Sequence, residues 1–172
     1  MSPVARNRRS IRVPDFDYTY PGPYFITIVT AGRVLRFGEI ANGEMLLNQV
    51  GQMVRSEWLR LPFRFPGLEI DEYVVMPNNH FHGILSLPDK GDQKEKVDGQ
   101  VVSCSVGAVI RAFKAATTER FHFICGWNAG ILWQRNYHEH IVRGDRDYNR
   151  IREYILCNPS QWEADREWSL KK

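Results

Sequence analysis

Apolar positions along this chain switch between two periods, and each switch marks an element. Tyr24-Phe25-Ile26-Thr27-Ile28-Val29-Thr30 is aromatic and β-branched, the composition of a central strand. From Leu46 to Leu61 the period lengthens: Leu47, Val50, Val54, Trp58 and Leu61 recur at spacings of three and four, which predicts an amphipathic helix stopped by Pro62. Leu68–Met76 and His80–Leu87 read as two further strands, joined by a turn at Pro77-Asn78-Asn79. Val106–Phe121, with Val109, Ile110, Phe113, Ala116 and Phe121 turned inward, predicts a second helix. Ile131–Val142 alternates as a fourth strand, and Asp147–Asn158 reads as a third helix ended by Pro159.

Between these elements, Gly32–Gly43 is a loop with the signature of a short hairpin at Asn42-Gly43. Pro88–Ser103 is a polar excursion carrying Lys90, Lys94 and Lys96. The order strand, helix, strand, strand, helix, strand, helix predicts an α+β fold. It is a ferredoxin-like antiparallel sheet (βαββαβ) with helices on it and an extra C-terminal helix. Residues 1–22 read as a basic, proline-containing arm and 23–172 as a single domain.

Composition narrows the function classes only slightly. The 172 residues are 43% hydrophobic and 25% charged, an ordinary globular balance with a net charge of +3. The placement of charge says more: Arg6, Arg8, Arg9 and Arg12 crowd the arm, and Arg135, Arg143, Arg146, Arg150 and Arg152 crowd the C-terminal part. Such clusters fit either solvated surface or contact with a polyanion. Cys104, Cys125 and Cys157 are odd in number and lack a Cys-x-x-Cys pair, which argues against a disulfide scaffold or thiolate zinc site and for a reducing compartment. No apolar run approaches the roughly 18 residues of a membrane span. The start does not read as a signal peptide, so the expected location is cytoplasmic with no membrane partner.

Two constellations carry candidate chemistry. His80 and His82 flank Phe81 on a strand, so both imidazoles project from one face, where a pair can bind a metal ion or simply stand in solvent. Tyr154 and Asn158 are four apart on the last helix and share a face. A tyrosine hydroxyl can act as a nucleophile and an amide oxygen is a hard metal ligand. The plain alternatives are an amphipathic aromatic and a residue that ends the helix. His138-Glu139-His140 is a rival histidine pair, but its middle residue is charged and costlier to bury than Phe81, so a polar strand face suits it better. Tyr137 is a rival nucleophile.

The strand-turn-strand ending in His80-Phe81-His82, followed by Arg152-Glu153-Tyr154-Ile155-Leu156-Cys157-Asn158-Pro159, resembles the HUH single-tyrosine transposases, most of all their REP-associated tyrosine transposase branch. Tyr24-Phe25-Ile26-Thr27, Phe37-Gly38-Glu39, Trp133-Gln134-Arg135-Asn136-Tyr137 and Glu139-His140-Ile141 extend the likeness, which runs from about Tyr24 to Trp162. The resemblance implies that His80 and His82 are paired metal ligands, Tyr154 the nucleophile and Asn158 the third ligand. It implies Mg²⁺ or Mn²⁺ as cofactor, with nitrogen ligation tilting toward Mn²⁺. It further implies cleavage and strand transfer of single-stranded DNA through a 5′-phosphotyrosine, on a hairpin or palindrome.

Arg6, Arg8, Arg9, Arg12, Lys114, Arg135, Arg143 and Arg150 are candidates to grip that DNA. The resemblance leaves oligomeric state open: many relatives resemble paired enzymes that share composite active sites, which allows a homodimer, while the REP-associated branch can act as monomers. One departure stands out: the family turn commonly reads Pro-Asn-His, whereas Pro77-Asn78-Asn79-His80 has an extra residue, and a one-residue slip would turn both histidines away. Two other functions compete. A non-catalytic module resembling RNA-recognition domains would need exposed aromatics on the central strands. A small metal-dependent hydrolase would use the same histidines with an activated water.

Overall fold

The computed structural model describes residues 19–42, 44–76, 80–89, 96–97, 100–101 and 104–170. Four strands form the main sheet: β1 (Gly22–Val29), β4 (Glu69–Met76), β5 (His80–Leu87) and β8 (His138–Ile141). Their spatial order is β4-β5-β1-β8, every pair antiparallel. With a helix between β1 and β4 and another between β5 and β8, this is the ferredoxin-like arrangement expected from the sequence. Two small hairpins lie outside the sheet, β2 (Gly38–Ala41) with β3 (Glu44–Leu47), and β6 (Lys96–Val97) with β7 (Gln100–Val101). Asn42, at the tip of the first, has φ 55°, the left-handed conformation that asparagine tolerates in hairpin turns.

Four expectations need correction. The first helix, α1 (Gln49–Leu59), begins later than its apolar period predicts, because Leu46 and Leu47 belong to β3. Asn48 sets the boundary: its side chain accepts a hydrogen bond from Gly51 N at 3.0 Å and satisfies a first-turn amide. Pro62 does not merely stop a helix; it sits in the first turn of a short one, α2 (Leu61–Arg64), where its missing N–H costs nothing.

The fourth strand is confined to His138–Ile141, preceded by an isolated bridge between Thr30 and Trp133. Leu132 and Trp133 are both buried but lie outside the strand. The last helix, α4 (Gly144–Leu170), continues through Pro159. Proline there removes one N–H, the one that would have reached Ile155, and Ser160 Oγ supplies an extra donor to Cys157 O at 2.9 Å.

The sheet is covered on both faces, and the two covers differ. On one face α1 and α3 (Val106–Cys125) enclose the large core of Tyr24, Ile26, Ile28, Trp58, Phe81, Leu85 and Phe113. Trp58 reaches the sheet because Gly83 has no side chain: a Cβ there would stand 2.7 Å from the indole. On the other face α4 lays Ile151 and Ile155 against Ile84, Phe25 and Val74, a much smaller cluster. Tyr24 and Phe81 are buried and Phe25 is half-buried, so the central strands do not present the open aromatic face that an RNA-recognition module needs. No helix among the described residues is long and apolar enough to cross a membrane.

Candidate active site

Strand register decides which side chains meet on the α4 face. Met76 pairs with His80, Val74 with His82, and Thr27 with His82, so the extra turn residue has not turned the histidines away; the turn itself, 77–79, lies outside the described residues. The His80 and His82 rings are 4.5 Å apart, centroid to centroid. Thr27 Oγ1 lies 2.8 Å from His82 Nδ1, and Phe25 stacks on the His82 ring at 5.4 Å. The imidazole is thus held from its edge and its face.

Polar contacts along its first turns bring α4 to this spot. Asp147 reaches back to accept from Arg143 N at 3.1 Å, contacts His140 Nε2 at 2.8 Å and accepts from Arg150 at 2.8 Å. These contacts hold its carboxyl far below the ordinary carboxylate range, Arg150 most strongly. A carboxylate at a helix N-terminus is favoured by the helix dipole. Tyr148 donates its hydroxyl to Asp71, which pushes the Tyr148 pKa up to about 12. Arg152 bonds Glu72 at 2.9 Å and stands 3.4 Å from Asp71. Asp71 and Glu72 lie where the β4 register shifts between Ile70 and Tyr73, so the bulge aims both carboxylates at α4.

Half a turn beyond Arg152, Tyr154 points back over the sheet. Its hydroxyl is 3.5 Å from His82 Nε2, and its ring meets that of His82 at 5.3 Å. One turn on, Asn158 is buried; it hydrogen-bonds His80, and its Nδ2 lies 3.5 Å from Tyr154 O. His80, His82, Tyr154 and Asn158 therefore form one cluster, with Tyr154 still 44% exposed and open to a large substrate.

Burial lowers the pKa of both histidines; His82 falls to about 3, with His80 adding repulsion, while the bond to Asn158 opposes the shift at His80. Both rings are thus neutral at pH 7, the form that ligates metals. In the tautomer in which Thr27 accepts from Nδ1–H, the lone pair of His82 is on Nε2, the side facing Tyr154. Among the described residues no group of three or more His, Cys, Asp or Glu could hold a metal ion, so a site here needs a ligand outside those types. The Asn158 amide is in place to be that ligand, and the donor set fits a divalent ion.

No family model matches the chain. It is 39% identical over 173 residues to an uncharacterized protein of Haemophilus influenzae, covering 92% of each chain. It is 27% identical over 142 residues to the REP-associated tyrosine transposase of Escherichia coli K12, spanning 83% of this chain and 68% of that one. A solved structure of a REP-associated tyrosine transposase bound to a REP hairpin superposes with a TM-score of 0.59 at 25% identity, covering 87% of this chain and 73% of that one. The chain belongs to the REP-associated tyrosine transposase family.

Within this transposase fold the rival residues take other places. Tyr137 lines a groove beside α3, across the sheet from His80 and His82. His138 and His140 project on the α4 side from the edge strand; His140 is tied to Asp147 and His138 is exposed. Of the candidate DNA contacts, Arg6, Arg8, Arg9 and Arg12 lie outside the described residues. Arg150 is exposed but paired with Asp147, Arg143 is exposed, and Arg135 is exposed beside α3. Lys114 donates to Gln134 O and Arg135 O, so it braces a loop rather than projecting into solvent. Thr27 and Phe25 escaped sequence reasoning. The sequence offered them only as part of a matching stretch; their place beside His82 comes from cross-strand register, which a single chain does not display.

Proposed function

We propose that this chain cuts and rejoins single-stranded DNA, with Tyr154 as nucleophile. The observation that carries the reading is the approach of the Tyr154 hydroxyl to His82 Nε2, 3.5 Å away, within a cluster completed by His80 and Asn158. Tyr154 Oη attacks the scissile phosphorus, the bond from phosphorus to the 3′ oxygen breaks, and the leaving strand departs as a free 3′-hydroxyl. The protein keeps a 5′-phosphotyrosine. That bond is still a phosphodiester, so attack by another 3′-hydroxyl reverses the step and joins strands without a nucleotide cofactor.

His80, His82 and Asn158 would hold a Mg²⁺ or Mn²⁺ ion, which when bound supplies Lewis-acid charge to the phosphate. Burial keeps the imidazoles uncharged and free to ligate. Thr27 and Phe25 hold the His82 ring in one orientation, and the ion pairs of Arg152 hold the phenol over it. A phenol ordinarily titrates near pKa ~10, so its proton must be removed as attack proceeds. The hairpin carried by the structural relative makes a single-stranded hairpin the substrate of choice.

The test is incubation with a labelled single-stranded hairpin and Mn²⁺, followed by denaturing electrophoresis. An adduct that survives denaturation, disappears in Tyr154→Phe and falls in His80→Ala is the expected outcome. Cleavage without an adduct indicates a hydrolase and ends the proposal. An adduct mapped to Tyr137 would overturn the choice of nucleophile while leaving the reaction class standing.

A further inference from the structure

A groove lies away from the Tyr154 cluster, on the far side of the sheet edge. About 680 Å³ in volume, it runs between the outer side of α3 and the segment leading to β8. Its walls carry Arg111, Arg135, Trp127 and Tyr137, with Lys114 at its base and Glu119 as its acid. Arg111 and Arg135 are exposed and have no ion-pair partner among the described residues. Trp127 is 78% exposed, an unusual position for an indole.

That indole is nevertheless held in place. Gly126 and Gly130, at φ 87° and 78°, close a tight turn around it. His122 Nε2 contacts Gly130 O at 2.9 Å and the His122 ring packs on Trp127 at 5.2 Å. Lys114 pins the opposite wall through its bonds to Gln134 O and Arg135 O. An exposed aromatic held between two guanidinium groups that have no ion-pair partner among the described residues combines the two features that bind unpaired nucleotides: a stacking platform and phosphate contacts.

The edge strand connects the groove to the Tyr154 face. Tyr137 lines the groove, and the next residue, His138, stands opposite Thr27, which in turn stands opposite His82. β8 is the outer strand of the sheet, with nothing paired beyond it among the described residues.

We propose that this groove is a second nucleic-acid site, which holds the single-stranded flank of the DNA substrate after it passes around the β8 edge. One unpaired base stacks on Trp127, and neighbouring phosphates meet Arg111 and Arg135. The inference rests on the strand-cleavage reading for its substrate.

The test uses full-length Tyr154→Phe protein, which cannot cleave, and two probes: a DNA hairpin with single-stranded flanks and the same hairpin with blunt ends. The flanked hairpin is expected to bind more tightly. In this background Trp127→Ala weakens binding of the flanked probe roughly tenfold. Arg111→Ala with Arg135→Ala weakens it by a similar factor and flattens the dependence of log K on log salt by about 1.4, two single-strand phosphate contacts. The blunt hairpin binds all variants alike.

Equal binding of the two probes by the Tyr154→Phe protein overturns the groove. So does a flanked-probe affinity that none of the three substitutions changes. Loss with the arginine variants but not with Trp127→Ala leaves a merely charged surface and overturns the stacking site. These results are distinguishable from failure of the cleavage reading, which would appear as absence of the adduct in otherwise unaltered protein. All three side chains are exposed or lie at the groove wall, so unchanged thermal melting checks that the variants fold.

Discussion

The two faces of one sheet have been used for different ends. Beneath α1 and α3 the side chains are large, apolar and almost fully enclosed: the rings of Trp58, Phe81 and Phe113 pack tilted or edge-to-face with centroids within 5.4 Å of one another. Beneath α4, among the described residues, Ile84, Val142, Ile151 and Ile155 form a small core edged by Phe25, Val74 and Tyr148, and the same face carries His80, His82, Thr27, Tyr154 and Asn158. One face holds the domain together, and the other holds reactive groups in place by ion pairs and hydrogen bonds because it has little apolar area to spare. The lesson is that contacts through Asp71, Glu72 and Asp147 add to the small apolar cluster under α4, so geometry at the site depends on polar contacts as well as burial.

The contrast can be broken most sharply at Tyr154. Tyr154→Phe is expected to reduce adduct formation by about a thousandfold or more with little loss of thermal stability, since the residue is half-exposed and its hydroxyl makes only a long contact, 3.5 Å, with His82 Nε2. A large drop in melting temperature would mean that the α4 face is structural after all. On the opposite face, Trp58→Ala should cost about 3–5 kcal/mol in urea unfolding, and any lost activity should track the unfolded fraction.

The buried histidine gives a pH signature. The His82 pKa is about 3 in the folded protein, well below its usual value. Above pH ~6.5 the ring is neutral whether the chain is folded or not, and contributes nothing to pH dependence. As pH falls from ~6.5 toward 3 the unfolded chain takes up a proton that the folded one refuses. Stability of metal-free protein should then fall by up to about 1.4 kcal/mol per pH unit. His82→Gln should flatten that slope; an unchanged slope in chemical denaturation across this window would show that His82 is not buried neutral.

A smaller effect is expected at Thr27. Thr27→Val keeps the shape but removes the partner of His82 Nδ1, and should weaken Mn²⁺ binding about 10–100-fold by calorimetry while the fold is retained. Unaltered affinity would mean that Thr27 only fills space. Arg152→Ala is predicted to be mildest for stability, because the arginine and its partners are part-exposed. It should slow adduct formation several-fold by loosening α4; a rate equal to that of the unaltered protein would sever docking from chemistry.

Much of this was legible in the chain. The strand at Tyr24–Val29, the pair flanking Pro77–Asn79 and the helix after Ser105 follow from period and composition alone, because their apolar residues match the geometry they adopt. Leu46 and Leu47 misled, since a short apolar run fits the end of a strand as well as the start of a helix. Pro159 misled in another way: a local preference to end a helix gave way to a helix already anchored upstream by Arg152 and Tyr148. The groove beside α3 was invisible because Arg111 and Trp127 are neighbours only through the turn that Gly126 and Gly130 close.

By itself the chain determined that His80 and His82 share a face and that Tyr154 and Asn158 share another, since strand and helix periods are local properties of the backbone. Only the tertiary structure decided that those two faces meet. That required β5 and β1 to bring Thr27 beside His82, a bulge in β4 to present two carboxylates, and a helix to settle on them, all contacts between residues far apart in sequence.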